Sequence, residues 1–493
     1  MIEPITCKHT LNLTGEPLGA VWLRRSETLP EITEFPCPNV WRTGPKGRFR
    51  SALIEAVDGA CEIILVCAFL LADKELAAAL LRAAERKVRV YILTASEQRI
   101  GKFLHEDDDF NQRMANEHKQ LLDQFAGKIL VRSAEHFHAK FLAVDHINPA
   151  KSSGFLSTAN FNLALTENIE LGICVQGKDV TELAELFNWA FWCEAKNELI
   201  EKGRLSQASP PPRHPKEPSM SSVKATLQSR QELRKTIASL IKEARGEILL
   251  CTYGIELSHE VTQALLEALN KNVKVTILTR PRPAIADALL KLAKSGATIF
   301  GHDKLHAKAL VIDGAVWVMS ANLESNGLDH GFEVGIQVVG EAADYIVITL
   351  RQWAGEFPWV FRADATRGEH LGEYLPFNKG LRDGIMHVIP KQFQPCADQV
   401  SFDALRLTEA PRPTMDPTLV QRETPQHVEF TWKVNPPKLP NKAKQRKVEK
   451  GANESTPQIY DHDGKVYILI KPGTDISAAQ RLTLELSAIA VVP

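Results

Sequence analysis

Residues 62–94 read EIILVCAFLLADKELAAALLRAAERKVRVYILT, and residues 247–279 read EILLCTYGIELSHEVTQALLEALNKNVKVTILT. The two stretches align without a gap over 33 residues at a constant offset of 185. Each passes from an apolar strand through a polar turn into an amphipathic helix, then into a β-branched strand ending Ile-Leu-Thr. Strand, helix and strand in that order predict a right-handed crossover unit with a parallel strand pair. Self-similarity on this scale means one structural unit built twice.

The repeat continues outward with altered spacing. The first copy carries about 17 extra residues, around LHEDDDFNQRMANEHKQLLDQF, before it reaches HFHAKFLAVD, whereas the second reaches KLHAKALVID sooner. FLSTANFN and VWVMSANLE follow, then NIELGICV and FEVGIQVV. Each half closes on an amphipathic helix containing Trp, VTELAELFNWAFWCEAKNELI in one and ADYIVITLRQWAGEF in the other, with Trp189, Trp192 and Trp353 as core residues. GRLSQASPPPRHPKEPSMSS between the halves reads as a Pro/Ser-rich linker. This sets an N-terminal segment 1–45, a first half 46–202, a linker 203–222, a second half 223–362 and a C-terminal region 363–493. In that last region VEFTWKV alternates as a strand does, KVYILIKP and RLTLELSAIAVV read as further strands, and KLPNKAKQRKVEKG is a basic connector.

Bulk properties narrow the class. A length of 493 residues calls for two or three domains, and 44% hydrophobic residues suffice for their cores. Net charge is −1, so any affinity for polyanions must be local rather than global. No apolar run reaches the roughly 18 residues that span a bilayer, and MIEPITCKHT lacks the charged start and apolar stretch of a signal peptide. None of the eight cysteines forms a Cys-x-x-Cys pair, and several lie in apolar runs such as CEIILVCAFL, which predicts buried free thiols. The expected location is the cytoplasm.

Chemistry concentrates in the repeated strands. His138-Ala139-Lys140 is followed by Asp145, and His306-Ala307-Lys308 by Asp313 at the same interval. On a strand, residues two apart share a face, so each His and Lys project together. An imidazole beside an ammonium makes a poor cation site and a good anion site, so no metal and no cofactor is expected, although His136 and His138 resemble a metal pair. His214-Pro215-Lys216 and His302-Asp303-Lys304 also match His-x-Lys but lack the spaced Asp. Further on, Ser157 and Asn160, and Ser320 and Asn322, offer short donors for phosphate oxygens, and Glu170 and Glu333 offer carboxylates to fix an imidazole tautomer.

This duplicated pattern of His-x-Lys-x4-Asp, a turn with Ser and Asn, then Glu resembles the phospholipase D superfamily over about residues 46–362. The resemblance implies an α/β fold: two halves related by a pseudo-two-fold axis, each a mixed sheet between helices, here with a C-terminal β-rich accessory module. It implies one cleft, where one His attacks phosphorus to give a phosphohistidine and the other protonates the leaving oxygen. Carried over, His138 and His306 share those roles in an unassigned order. Lys140, Lys308, Asn160 and Asn322 bind phosphoryl oxygens, Glu170 and Glu333 orient the histidines, Ser157 and Ser320 support the phosphate site, and Asp145 and Asp313 are structural. Leu156 and Met319 depart from the Gly usual before Ser, and DHINPAKSSG is longer than its counterpart DGA.

The expected function is a metal-independent phosphodiesterase, foremost a nuclease or nucleic-acid-processing enzyme with DNA or RNA as substrate. A phospholipase D or cardiolipin-synthase-like phosphatidyltransferase on membrane lipid is the first alternative. A catalytically silent nucleic-acid-binding module is the second. A tyrosyl-DNA phosphodiesterase is disfavoured, because that branch typically lacks the Asp found here in both motifs. The acidic run Glu106–Asp109 reads as an exposed helix start. Nothing in the sequence fixes the oligomeric state.

Overall fold

In the computed structural model the parallel pair predicted from the repeat is present in both halves. Ile63–Ala68 runs parallel to Arg89–Ala95, and Glu247–Cys251 to Lys274–Thr279. The helices Lys74–Glu85 and Glu260–Asn270 make the crossovers. Asp73 and His259 cap them by accepting from the Leu76 and Val261 amides. The structure describes residues 17–25, 37–43, 47–104, 109–211, 213–226, 231–366 and 372–388, together with the strands Ile5–Asn12, His427–Val434, Lys444–Gln445, Gln458–His462 and Lys465–Leu469.

The repeat is not gapless. Ile63 and Glu247 hold equivalent places, since their carbonyls accept from Asp145 and Asp313, which is an offset of 184. The second strands pair as Ile63 with Arg89 and Glu247 with Lys274, an offset of 185. The second half therefore carries one more residue between its first strand and its helix. Both strands are apolar throughout, so the sequence alone cannot register the slip.

Residues 27–361 form one compact unit that contains both halves. The first half is a nine-stranded mixed sheet in the order Arg204–Gln207, Asn197–Glu201, Leu130–Ala134, Arg89–Ala95, Ile63–Ala68, Phe141–Val144, Ser153–Ser157, Leu171–Val175, Val40–Arg42. Within this unit the second sheet runs Val223–Ala225, Val334–Val338, Ala315–Met319, Ala309–Ile312, Glu247–Cys251, Lys274–Thr279, Thr298–Gly301. Alternate residues of the central strand serve opposite cores. Ile64 and Val66 pack with the helices Phe49–Gly59 and Lys74–Glu85. Leu65 and Cys67 face a core shared with Leu249 and Cys251 of the other half and with both closing helices. Helices thus cover both faces of the first sheet, an α/β/α arrangement.

Contacts between the halves are reciprocal. Phe137 bridges Phe332, and Leu305 bridges Ile169. His138 donates its amide to the Phe332 carbonyl at 3.1 Å, and His306 to the Ile169 carbonyl at 3.0 Å. Each half offers the same patch to its counterpart, which is the signature of a two-fold relation.

Two details seat the site. Gly172 and Gly335 stand two residues beyond the paired glutamates, where an added Cβ would lie 2.3 Å from the Phe49 ring and 2.5 Å from Leu233. Only glycine lets the first helix of each half pack that close. Asp145 and Asp313 adopt φ +47° and each accepts three backbone amides, from Cys61, Glu62 and Ile63 and from Arg245, Gly246 and Glu247. They tie the motif strand to the central strand. Asp145 is buried and Asp313 is exposed. Asp145→Ala is therefore expected to cost about 3 kcal/mol or more, and Asp313→Ala clearly less, because water can reach the freed amides. Urea midpoints check this, and equal losses would contradict it.

Several boundaries move. The expected linker begins inside a hairpin, Asn197–Glu201 with Arg204–Gln207, and NELI is strand where helix was expected. The helix Lys178–Trp189 ends instead in a π-helical turn, Ala190–Glu194. The later linker is docked rather than loose: Glu182 accepts from the amides of Ser221, Ser222 and Val223, and Met220 is buried. The 1–45 segment divides between the two units. Val40–Arg42 pairs with Leu171–Ile173 and extends the first half, whereas Ile5–Asn12 pairs with His427–Val434.

That second unit comprises residues 1–26 and 362–493, and its described secondary structure is mainly strand. Pro17–Arg24 pairs with Gly372–Pro376, which pairs with Met386–Val388, and Lys444–Gln445, Gln458–His462 and Lys465–Leu469 form a three-stranded sheet. VEFTWKV and KVYIL are strands as expected, while RLTLELSAIAVV, most of the basic connector and Glu106–Asp108 lie outside the described residues. Asp109 begins the helix Asp109–Phe125. Cys37, Cys67 and Cys251 are buried free thiols, but Cys61 is exposed, because it occupies the bend that gives its amide to Asp145. Trp353 is buried, and Trp189 and Trp192 are partly so. Among the described residues no helix is long and apolar enough to cross a membrane.

Candidate active site

Both His-x-Lys motifs lie just before their strands, Phe141–Val144 and Ala309–Ile312, rather than within them. Backbone bonding explains the difference. The amides of His138 and His306 are spent on the opposite half, while the carbonyls of Lys140 and Lys308 accept from Ser157 and Met319 of their own half. Each motif is thereby clamped between the halves.

The histidines are oriented by carboxylates from across the interface. His138 Nδ1 bonds Glu333, and His306 Nδ1 lies 2.6 Å from Glu170 Oε1. A carboxylate on Nδ1 selects the tautomer with its proton there and leaves the lone pair on Nε2, which lies 3.3 Å from Lys140 Nζ in His138 and 3.4 Å from Lys308 Nζ in His306. Lys140 Nζ sits 2.9 Å from His138 Nδ1 and donates to the His138 carbonyl at 2.6 Å. Lys308 Nζ sits 2.8 Å from His306 Nδ1 and reaches the Thr158 carbonyl of the other half at 3.4 Å. Neither half holds a complete set. The two motifs form one cluster.

Burial sets its electrostatics. Lys140, Lys308, Glu170 and Glu333 are at most 1% exposed, while the side chains of His138 and His306 keep 24% and 19% open. Burial opposes the charged forms of the carboxylates. Yet His306 and Lys308 hold Glu170 down at about 2, and His138 and Lys140 do the same for Glu333. Burial pulls Lys140 down to about 7, with Glu333 resisting and Lys308 reinforcing, and it also lowers Lys308. The His306 imidazole is held down at about 4 by burial against Glu170, with Lys308 and Arg280 assisting. Burial likewise lowers His138. With both imidazoles neutral, two ammonium and two carboxylate charges cancel. A bound phosphodiester adds one negative charge that the cluster can balance by protonating one imidazole.

The turn residues need correction. Ser320 and Ser157 do not occupy equivalent places. Ser320 donates to Glu333 and accepts the Val334 amide, and the residue doing the same in the first half is Thr158, which donates to Glu170 Oε2 at 2.6 Å and accepts the Leu171 amide. Ser157 matches Met319; its hydroxyl is buried and exchanges bonds with the backbone of Ala159. Neither serine hydroxyl is directed at phosphate. Aligning Ser157-Thr158-Ala159-Asn160 with Ser320-Ala321-Asn322 on their asparagines would have exposed Thr158. Asn322 donates one N–H to Glu324 at 2.9 Å, which leaves its second N–H, and the Oδ1 atoms of Asn160 and Asn322 are buried without partners. The unpaired oxygens are acceptors and await a donor, so it is the remaining amide N–H groups that can bond a phosphoryl oxygen.

The walls beside the two imidazoles differ. Phe69 lies edge-on to His138 with ring centroids 4.8 Å apart, and Tyr253 holds the equivalent place 4.5 Å from His306. Arg280 and Arg282 lie over Tyr253, and neither arginine figured in the sequence reading. Among the described residues no group of three His, Cys, Asp or Glu side chains could hold a metal ion.

A duplicated α/β fold with histidine–lysine pairs crossed onto each other's carboxylates defines a two-motif, single-site protein. Residues 53–192 and 237–353 match the family model described as "Cardiolipin synthase, PLD-like domain", more than half of the chain, and the chain belongs to this branch of the phospholipase D superfamily, whose members act on phosphodiester bonds. No curated protein matches it. Among solved structures it is similar to phosphatidylserine synthase from Haemophilus influenzae Rd KW20, at 13% identity over 70% of this chain and 89% of that one, with a TM-score of 0.46. It is similar to polyphosphate kinase from Porphyromonas gingivalis, at 18% identity over 62% and 48%, with a TM-score of 0.41. It is also similar to Nuc, a phospholipase D family member from Salmonella typhimurium, at 20% identity over 29% and 98%, with a TM-score of 0.26.

Proposed function

We propose that this chain is a metal-independent phosphodiesterase that cleaves DNA or RNA through a phosphohistidine intermediate. The observation that carries the chemistry is the crossed pairing of each imidazole with the other half's carboxylate, which places the lone pair of each ring on Nε2. His306, whose imidazole the nearby guanidinium of Arg280 helps to keep neutral, is the nucleophile. Its Nε2 attacks phosphorus as the P–O bond to the leaving group breaks, and His138, protonated as the phosphodiester binds, gives its proton to that oxygen. Water then attacks phosphorus, the P–N bond breaks, and His138 takes the proton from the water. Lys140, Lys308, Asn160 and Asn322 bind the equatorial oxygens, where preorganised donors stabilise the developing charge. The two ammonium groups supply the charge a metal would otherwise bring.

The expected substrate is a nucleic acid, because a near-neutral chain carries guanidinium groups locally at the site. Phe69 beside His138, backed by a buried apolar cluster, favours the second reading, a phosphatidyltransferase acting on lipid. Incubation with labelled single- and double-stranded DNA, RNA and phospholipid vesicles, with EDTA present, tests the reading. Cleavage of nucleic acid with retention at a chiral phosphorus supports it. Turnover of lipid alone overturns it, as does the absence of turnover on every substrate.

The pH profile follows from the same groups. The nucleophile must be neutral, so kcat/KM falls as pH drops through about 4. The acid His138 must take up a proton that burial disfavours, and phosphate binding needs the Lys140 ammonium, so kcat/KM also falls as pH rises, first through the lowered range of His138 and then through about 7. A maximum at mildly acidic pH is expected. The kcat profile holds to higher pH, because bound phosphate favours the ammonium. A kcat/KM profile still rising above pH 8 would contradict this.

A further inference from the structure

The repeat breaks its own symmetry beside His306. After Ile-Leu-Thr the first half continues Ala95-Ser96-Glu97, and the second continues Arg280-Pro281-Arg282-Pro283. A residue that precedes proline is kept from the helical region, so both arginines are held extended by their neighbours, as φ −142° and ψ 140° show for Arg282. Alternation then puts both side chains on one side of the segment. There the guanidinium of Arg282 lies 3.9 Å from the centroid of Tyr253 and that of Arg280 lies 5.3 Å from it. Arg282 also donates to the Tyr253 carbonyl at 3.3 Å. Tyr253 in turn packs against His306, so the pair of guanidinium groups sits beside the cluster.

Arg280 Nε is buried with no hydrogen-bond partner, and among the described residues neither guanidinium has a carboxylate within ion-pair distance. A half-buried guanidinium that feels Glu170 and Asp303 only at a distance, with no direct ion pair, is costly. Arg234 and Arg50 share the buried Nε without a hydrogen bond, but each makes an ion pair, with Asp329 and with Asp73. At the position of Arg280 the first half has Ala95, closed into an apolar cluster with Phe69, Leu70, Ile100 and Met114. Among the described residues the ring beside the imidazole carries guanidinium groups on the His306 side and lies in this apolar cluster on the His138 side.

We propose that Arg280 and Arg282 form a second anion subsite, which takes the phosphate next to the scissile one in a polynucleotide. The assignment rests on the phosphodiesterase reading and deepens it: the preferred substrate carries at least two phosphodiesters along one backbone, and the strand leaves the cluster over the second half. A guanidinium offers phosphate two parallel N–H donors, which suits a subsite that fixes register as well as affinity.

The test compares bis(p-nitrophenyl) phosphate, which has one phosphodiester and no neighbour, with a fluorescent oligothymidylate, using wild type, Arg280→Ala, Arg280→Lys and Arg282→Ala. For Arg280→Ala, the loss in kcat/KM on the oligonucleotide should exceed that on the small diester by about tenfold or more, mainly through KM. Arg280→Lys should recover part of it, and the slope of log KM against log salt should fall by about one. Residual hydrolysis of the small diester reports that the variant is folded. Equal losses on both substrates, or none on either, would overturn the subsite. Wild-type enzyme that hydrolyses the small diester but no oligonucleotide would instead sink the nucleic-acid reading and the assigned ligand with it.

Discussion

His306→Ala is expected to lower kcat by about 10⁴-fold or more on every substrate, because it removes the nitrogen that forms the bond to phosphorus. His138→Ala behaves differently. Its imidazole gives a proton to the leaving oxygen, a contribution of about 10²–10⁴ for an alkoxide, so the loss should be of that size on a nucleic acid. It should be far smaller on bis(p-nitrophenyl) phosphate, whose phenolate leaves without a proton. The double variant should be no slower than His306→Ala alone, since groups that act as a unit are not additive. The variants should stay folded, because both side chains are part-exposed and shape little of the core. Rates measured on the two substrates decide the assignment. A leaving-group-independent loss in His138→Ala joined to a leaving-group-dependent one in His306→Ala would reverse the roles.

Glu170→Gln and Glu333→Gln are expected to act across the interface, each silencing the histidine of the other half. Glutamine keeps the shape but not the charge that fixes the imidazole tautomer, and a change of this kind lowers kcat by about 10²–10⁴. Glu170→Gln should therefore resemble loss of the nucleophile, and Glu333→Gln loss of the acid with its dependence on the leaving group. Stability should fall too. Each substitution leaves a buried lysine short of its carboxylate, and breaking such a pair costs about 3–5 kcal/mol. The sign for pH is also fixed. Both carboxylates raise the proton affinity of the lysines, so their removal lowers it further and moves the alkaline limb of kcat/KM to lower pH. A cycle of His306→Ala with Glu170→Gln should show strong coupling. Additivity there would deny the crossed arrangement.

Much of this was legible in the sequence because duplication acts as an internal control. A single His-x-Lys is common, as His214-Pro215-Lys216 and His302-Asp303-Lys304 illustrate, but two with the same spaced Asp after matching strands are not accidental. Asp145 and Asp313 sort themselves as structural by gathering three backbone amides each. What periodicity does not encode is which half a side chain serves. The crossed bonds from His138 to Glu333 and from His306 to Glu170 join residues 195 and 136 positions apart and depend on how two sheets meet. The same limit hid Thr158, because Ser157 beside it is the better chemical match to Ser320 and only the hydrogen-bond register separates them. It also hid the one-residue slip in the first strands, whose residues are apolar on both faces. The Arg-Pro-Arg-Pro run was in plain view, and its meaning depended on Tyr253 linking it to His306.

Quenching a single turnover of a radiolabelled diester in alkali, where a phosphohistidine survives, measures how many phosphoryl groups each chain holds and on which residue. One group per chain, on the peptide containing His306 and absent from His306→Ala, is the expected result for two motifs that share one phosphorus. Label on both His138 and His306 approaching two per chain, or undiminished turnover with no labelled histidine at all, would contradict it.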